Sequence, residues 1–113
     1  MDKPKLIGVV TVTYNSGTVI RDFLDSMLKQ SHTDFVLYVV DNASSDDTVA
    51  IVATYRDPRV LTIRNSENLG VAEGNNVGIR AALRDGFASV LLINNDTIFD
   101  CDVISKLFNG LGK

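Results

Sequence analysis

Three polar clusters break the apolar pattern of this chain: Thr13-Tyr14-Asn15, Asp41-Asn42 and Asn94-Asn95-Asp96. Each follows a run of β-branched or aliphatic residues, at 6–12, 35–40 and 90–93. Polar groups at the carboxyl end of a strand sit where an open α/β sheet forms its ligand crevice. The residue types define the chemistry such a crevice could hold. Tyr14 offers a nucleobase a flat ring and a hydroxyl. Asp41 can accept from a base N–H or a ribose hydroxyl. Asp96 can ligate Mg²⁺ or Mn²⁺, hard cations that take carboxylate oxygen and complete their shell with substrate phosphates. Each cluster also has an ordinary alternative: packing for Tyr14, a helix-entry turn for Asp41, an Asx turn leaving a strand for Asp96. Their convergence on one edge of a sheet is what favours a site.

Elements that could bring the clusters together are readable from periodicity. The first run is mostly apolar and β-branched, a buried strand. Val19, Ile20, Phe23, Leu24, Met27 and Leu28 then form one helical stripe, with Arg21, Asp22, Asp25 and Lys29 on the wet side. A second strand covers 35–40. Ser44 or Ser45 is the expected N-cap of a helix through Tyr55, with Asp46 and Asp47 in its first turn and Val49, Val52 and Ala53 toward the sheet. Asp57-Pro58 stops it. A third strand at 60–63 leads through a polar loop to a helix over 70–84, closed by Asp85-Gly86. The fourth strand covers 87–93, and its unbroken apolar run at 90–93 reads as buried on both faces. A last amphipathic helix is expected from Val103, Ile104, Leu107, Phe108 and Leu111.

Strand alternating with helix predicts an α/β fold of three layers, α/β/α, with a mostly parallel sheet and helices on both faces. Parallel strands place all their carboxyl ends on one edge. Gly70, Gly74 and Gly78 recur every four residues on the third helix, and Glu73, Asn75 and Asn76 exclude a membrane dimer motif. Close helix-to-sheet approach or backbone access to a ligand accounts for the spacing instead.

Composition narrows the class. The 113 residues suit one domain with a real core. Hydrophobic residues make up 45%, as in globular proteins, and the formal charge of −3 argues against nucleic acid as a partner. No apolar run approaches a membrane span, and the first residues lack a signal peptide's apolar core. The single cysteine, Cys101, excludes an internal disulfide and has no Cys/His set for zinc. His32 stands alone and reads as a surface residue. A cytoplasmic domain is expected, within a protein that can still dock on a membrane. No Gly-x-Gly-x-x-Gly follows the first strand and no Walker loop is present.

Taken together, residues 9–15, 39–46, 68–78 and Leu91-Leu92-Ile93-Asn94-Asn95-Asp96-Thr97 resemble the nucleotide-sugar-binding part of a family 2 glycosyltransferase with the GT-A fold, a Rossmann-like half. The Asn-Leu-Gly…Gly-Asn-Asn-x-Gly segment and the Asn-Asn-Asp-Thr ending are similar to its rhamnosyltransferase-like branch. The resemblance implies that Thr13, Tyr14 and Asp41 line a base pocket beside Asn15. It implies that Asn68, Gly70 and Asn76 lie along the nucleotide, and that Asn95-Asp96 stands for the Asp-x-Asp-type metal motif with Asp96 as metal ligand. Asn94 and Asn95 replace carboxylates of the common pattern, which leaves metal affinity dependent on bound diphosphate.

The implied reaction is inverting transfer of a sugar from a nucleoside-diphosphate donor, a UDP- or dTDP-sugar, to a saccharide or lipid-linked acceptor hydroxyl, with Mg²⁺ or Mn²⁺ stabilising the leaving diphosphate. Family members take their general base from the acceptor-binding segment after the metal motif, so none is assigned within these residues. The chain reads as 1–113 of a longer domain truncated at its C-terminus, whose exposed apolar surface favours self-association. Two other readings fit less well. A sugar-nucleotide pyrophosphorylase needs a Gly-rich basic loop after the first strand, and a receiver domain needs an acidic pair there. A nucleotide-binding module without transferase activity is the non-enzyme alternative.

Overall fold

The computed structural model describes residues 7–30 and 34–95. The expectations for His32, Asp96, Cys101 and the last helix fall outside the described residues. Strands β1 (Ile7–Thr13), β2 (Phe35–Asp41), β3 (Val60–Arg64) and β4 (Val90–Leu92) form one sheet in the order β3-β2-β1-β4. Every pairing is parallel. Helices α1 (Ile20–Leu28), α2 (Thr48–Ala53) and α3 (Gly70–Arg84) complete the alternation.

Side chains on a strand alternate between faces, and here each face has its own core. Ile7 and Val9 of β1 and Phe35, Leu37 and Val39 of β2 pack with Ile20, Phe23, Leu24 and Met27 of α1 and with Ile51 and Val52 of α2. The opposite phase, Val10 with Tyr38 and Val40, packs on Ala81 and Ala82 of α3. Each large aliphatic side chain so buried contributes about 1.5–3 kcal/mol. The three-layer α/β/α expectation is therefore met. The small residues of α3 let it lie close: a Cβ at Gly78 would come within 2.3 Å of Val10 Cγ1, and one at Gly74 within 2.9 Å of Val12 Cγ1.

The two faces also fix where a ligand can enter. From β1 the chain steps through β2 to β3 by way of α1 and α2 on one face. It then crosses by α3 on the other face to place β4 on the far side of β1. Strand order thus reverses between β1 and β4, which is where an open parallel sheet opens a crevice at its carboxyl edge.

Several local expectations are corrected. β4 is not buried on both faces: Val90 and Leu91 are half-buried and Leu92 is 51% exposed, because among the described residues only β1 lies beside it. An apolar run marks a strand but not how many neighbours cover it. α2 starts at Thr48 and not after Ser44 or Ser45, since both serines are engaged in the loop below. Its inward residues are Thr48, Ile51 and Val52, with Val49 half-buried and Ala53 exposed. No helix among the described residues is long and apolar enough to cross a membrane.

Candidate functional site

Asp41 ends β2 directly opposite Thr13, the last residue of β1. Its carboxylate is almost wholly buried, at 1% exposure. Oδ1 accepts from Thr13 Oγ1 and from Ser44 Oγ, each at 2.6 Å, and Oδ2 accepts from the Ser44 N–H at 2.9 Å. Charge-assisted bonds of this kind are the strong ones, and a buried carboxylate needs them. Three of roughly four acceptor positions are thus filled from within the chain. Asp41 joins two strand ends and fixes the loop after β2.

That loop is clasped to the one after β1. Asn15 takes a left-handed φ of 49°, which asparagine tolerates better than most residues. Its Oδ1 accepts from the N–H of Ser45 at 2.8 Å and of Asp46 at 3.3 Å, while its own N–H donates to Ser44 Oγ at 2.8 Å. The N–H of Ser16 donates to Thr48 Oγ1 at 2.9 Å, and that of Gly17 to Asp46 Oδ2 at 3.0 Å. The Thr48 hydroxyl donates to Asp46, and this bond, with the N–H groups of Gly17 and Thr48, holds the Asp46 carboxyl below the usual range. Tyr14, between the two clasped segments, is left 51% exposed.

On the α3 side, Asn42 is buried and donates from Nδ2 to the Gly70 carbonyl at 3.0 Å, while its Oδ1 accepts from Asn65 Nδ2 at 2.7 Å. The entry to α3 is shaped by Asn68, whose Oδ1 accepts the Gly70 N–H at 2.9 Å. Gly70 has φ +82°, and a Cβ there would meet nothing within 4 Å. This glycine therefore serves backbone conformation, whereas Gly74 and Gly78 serve close packing.

At the switch point the end of β4 is tied to β1. The Ile93 N–H donates to the Val10 carbonyl at 3.0 Å, and two residues on, Asn95 Nδ2 donates to the Val12 carbonyl at 2.6 Å and to Thr11 Oγ1 at 3.2 Å. A cleft of about 320 Å³ opens here, lined by Val12, Val71, Asn75, Leu92, Ile93, Asn94 and Asn95. Asn76 does not reach it. That residue is exposed; Glu73, one turn before it on α3, accepts from Arg80 at 3.0 Å and is held below the ordinary carboxylate range chiefly by that arginine. The adjacent Asn75 faces the cleft.

The residues singled out from sequence thus separate into three groups. Thr13, Asn15 and Asp41 form one node beside Tyr14; Asn68 and Gly70 shape the start of α3; Asn95 borders the cleft. Asn75 and Asn94 are the additional polar lining. Asn75 could have been found from the helical period, because it lies four residues after Val71 and on its face. Among the described residues no three His, Cys, Asp or Glu side chains gather as metal ligands.

A parallel α/β sheet with a cleft at its switch point is the doubly wound class of fold, in which ligands sit at the carboxyl edge of the strands. The Glycosyl transferase family 2 profile matches residues 8–113, and the chain belongs to that family. It is 36% identical over 98 residues to the succinoglycan biosynthesis protein ExoO of Rhizobium meliloti, covering 87% of this chain and 28% of ExoO. The fold superposes on S. aureus TarS 1-349 in complex with UDP with a TM-score of 0.83 and 27% identity, covering 94% of this chain and 32% of that one. The mannosyltransferase PcManGT from Pyrobaculum calidifontis, in complex with GDP-Man and Mn²⁺, gives 0.83 at 23% identity, over 99% of this chain and 33% of its own, and bears on fold alone. The chain spans about a third or less of the length of each of these proteins.

Proposed function

We propose that these residues form the donor-binding part of a glycosyltransferase that moves a sugar from a nucleoside diphosphate to an acceptor hydroxyl with inversion. The observation that carries the reading is the cleft at the β1–β4 switch point, bordered by Val12 of β1 and by the polar residues Asn94 and Asn95 that follow β4. A base fits beside Tyr14, whose exposed ring offers area for stacking, with Thr13, Asn15 and Asp41 fixing the loop that presents it. Similarity to TarS, solved with UDP, supports a UDP- or dTDP-sugar as donor. The sugar is rhamnose or another hexose, and the acceptor a saccharide or lipid-linked saccharide, as befits polysaccharide biosynthesis at a membrane's cytoplasmic face.

The donor set fits a divalent ion of modest demands. Mg²⁺ and Mn²⁺ are held by one or two carboxylates and complete their shells with water and phosphate oxygens. Asp96 would supply that carboxylate, since Asp41 is buried and engaged with Thr13 and Ser44. When bound, the ion would offset the charge that develops on the leaving diphosphate. Asn95, its amide nitrogen committed to β1, would hold the segment that precedes Asp96 in the chain and keep its carbonyl oxygen for a ribose hydroxyl. The general base and the acceptor contacts would come from residues outside this chain.

Donor turnover tests the proposal. A longer protein containing this chain should release nucleoside diphosphate from its donor in the presence of Mn²⁺, and Asp96→Ala should reduce that release at least tenfold. Tight donor binding with no release under any acceptor would instead identify a binding module.

A further inference from the structure

Tyr14 is aimed by its backbone. Its ring is 51% exposed, and among the described residues nothing hydrogen-bonds to its hydroxyl. A stacking platform held in this way is only as well oriented as its own peptide groups. One neighbour grips both: the Tyr14 N–H donates to Ser16 Oγ at 3.2 Å, and Ser16 Oγ donates back to the Tyr14 carbonyl at 3.4 Å. Ser16 is fastened in turn. Its carbonyl accepts the Val19 and Ile20 N–H groups at 3.0 and 2.9 Å where α1 begins, and its N–H donates to Thr48 Oγ1 at 2.9 Å.

Thr48, the first residue of α2, is fully buried and lies one turn before the core residues Ile51 and Val52. Its hydroxyl has a single proton to give. Asp46 fixes where that proton goes. The Asp46 carboxyl is held below the usual range and so only accepts, from the Thr48 hydroxyl, from the Thr48 N–H at 3.0 Å and from the Gly17 N–H at 3.0 Å. With its proton committed to Asp46, Thr48 Oγ1 keeps a lone pair for the Ser16 N–H. A relay of hydrogen bonds thus runs from the sheet-facing start of α2 to the backbone of Tyr14. Valine at position 48 would keep the shape of threonine and make neither hydroxyl bond.

We infer that Thr48 is a positioning residue for the donor nucleotide: acting through Ser16, it sets the angle of Tyr14, the ring proposed to stack on the base. The inference rests on the donor-site reading and concerns a residue too deeply buried to touch the nucleotide itself.

The test is calorimetric titration of the 113-residue chain with UDP, dTDP, GDP and CDP in the presence of Mn²⁺. For the nucleotide that binds, Thr48→Val should weaken binding about fivefold, the weight of one hydrogen bond. Thr48→Ser should bind within about twofold of the unaltered chain, although it gives up a buried methyl and unfolds at lower urea. Affinity and stability then rank differently, whereas a purely structural Thr48 would move affinity in step with stability or not at all. Ser16→Ala breaks the same relay in the half-buried turn, should match Thr48→Val, and decides the matter where the valine chain does not fold. In a Tyr14→Ala background either change should alter affinity by less than about twofold, because its effect runs through the ring. If the unaltered chain binds none of these nucleotides, the donor-site reading fails and takes this inference with it. If one binds, and both changes leave its affinity unaltered or weaken it equally with and without the Tyr14 ring, the donor site stands and the positioning role is overturned.

Discussion

The side-chain amide of Asn95 donates to the Val12 carbonyl at 2.6 Å, and so extends by a side chain the ladder that Ile93 N–H makes with Val10 two residues earlier. β4 has only three residues of regular pairing, so this bond carries the β1–β4 contact up to the cleft. Asn95→Ala should cost about 1–3 kcal/mol in urea denaturation, the range for leaving a part-buried acceptor unpaired. Asn95→Asp should cost at least as much at neutral pH, since it sets a carboxylate against the Val12 carbonyl, and should recover part of the loss in acid as that carboxyl protonates. Equal stability of all three proteins would show that the rung is not a structural tie.

The Thr13–Asp41 bond makes a second expectation. Thr13→Val keeps the shape of the side chain but removes the hydroxyl that donates to Oδ1 at 2.6 Å. A buried carboxylate stripped of one donor should lower the unfolding free energy by about 1.5–3 kcal/mol. Ser44→Ala removes the partner bond to the same oxygen. The two losses should not add in a double-mutant cycle, because both residues serve one carboxylate.

Glycines on α3 predict unequal effects of one substitution. Gly78→Ala drives a methyl to 2.3 Å from Val10 Cγ1 and 3.1 Å from Val40 Cγ2. Separating helix from sheet should cost about 1–3 kcal/mol or more. At Gly70 no atom obstructs a Cβ, and the cost should be confined to the left-handed backbone, about 1–2 kcal/mol. Midpoints of chemical denaturation measured side by side check the order.

Tyr55 sets an alkaline limit. Burial, followed by the hydrogen bond to Asp25 at 2.8 Å, pushes its hydroxyl up to about 12. A raised value means that the folded state favours the protonated phenol. Its contribution is complete below the ordinary tyrosine value near 10 and is lost as pH rises through about 12. Thermal unfolding should show a stability decline across that interval, and Tyr55→Phe should flatten it.

Acid should act through the opposite sign. Asp46 and Asp57 are held below the usual carboxylate range, Asp46 by the Thr48 hydroxyl and Asp57 by Arg59 at 2.8 Å. Their contribution is present above the unfolded carboxylate value and fades as pH falls through the depressed folded values. Asp46→Asn should therefore reduce the loss of stability seen on acidification, as followed by circular dichroism.

Much of this architecture was legible in the residues because it rests on periodicity. Ile20, Phe23, Leu24 and Met27 declared the buried stripe of α1, and Asp85-Gly86 its counterpart's end on α3. Gly74 and Gly78 announced close approach, although only coordinates separate them from Gly70, whose role is conformational. Pairwise side-chain commitments were not legible. Ser44 looks like an N-cap in sequence but donates to Asp41, a bond that depends on where β2 ends relative to the loop. Likewise, Asn75 and Asn76 are chemically identical neighbours, and only the rotation of α3 sends one to the cleft and leaves the other exposed outside its lining. The exposure of Leu92 depends on which strand lies beyond it, information that no single strand contains.

The account's central claim is that the β1–β4 edge binds a nucleoside diphosphate, and thermal shift with UDP, dTDP, GDP and CDP, each with and without Mn²⁺, tests it most directly. One nucleotide at about 100 times its Kd should stabilise the fold by roughly 2.7 kcal/mol with Mn²⁺, and Asp96→Ala should remove the metal-dependent part. A chain that melts cooperatively at one temperature with every nucleotide, with or without the metal, would contradict the claim.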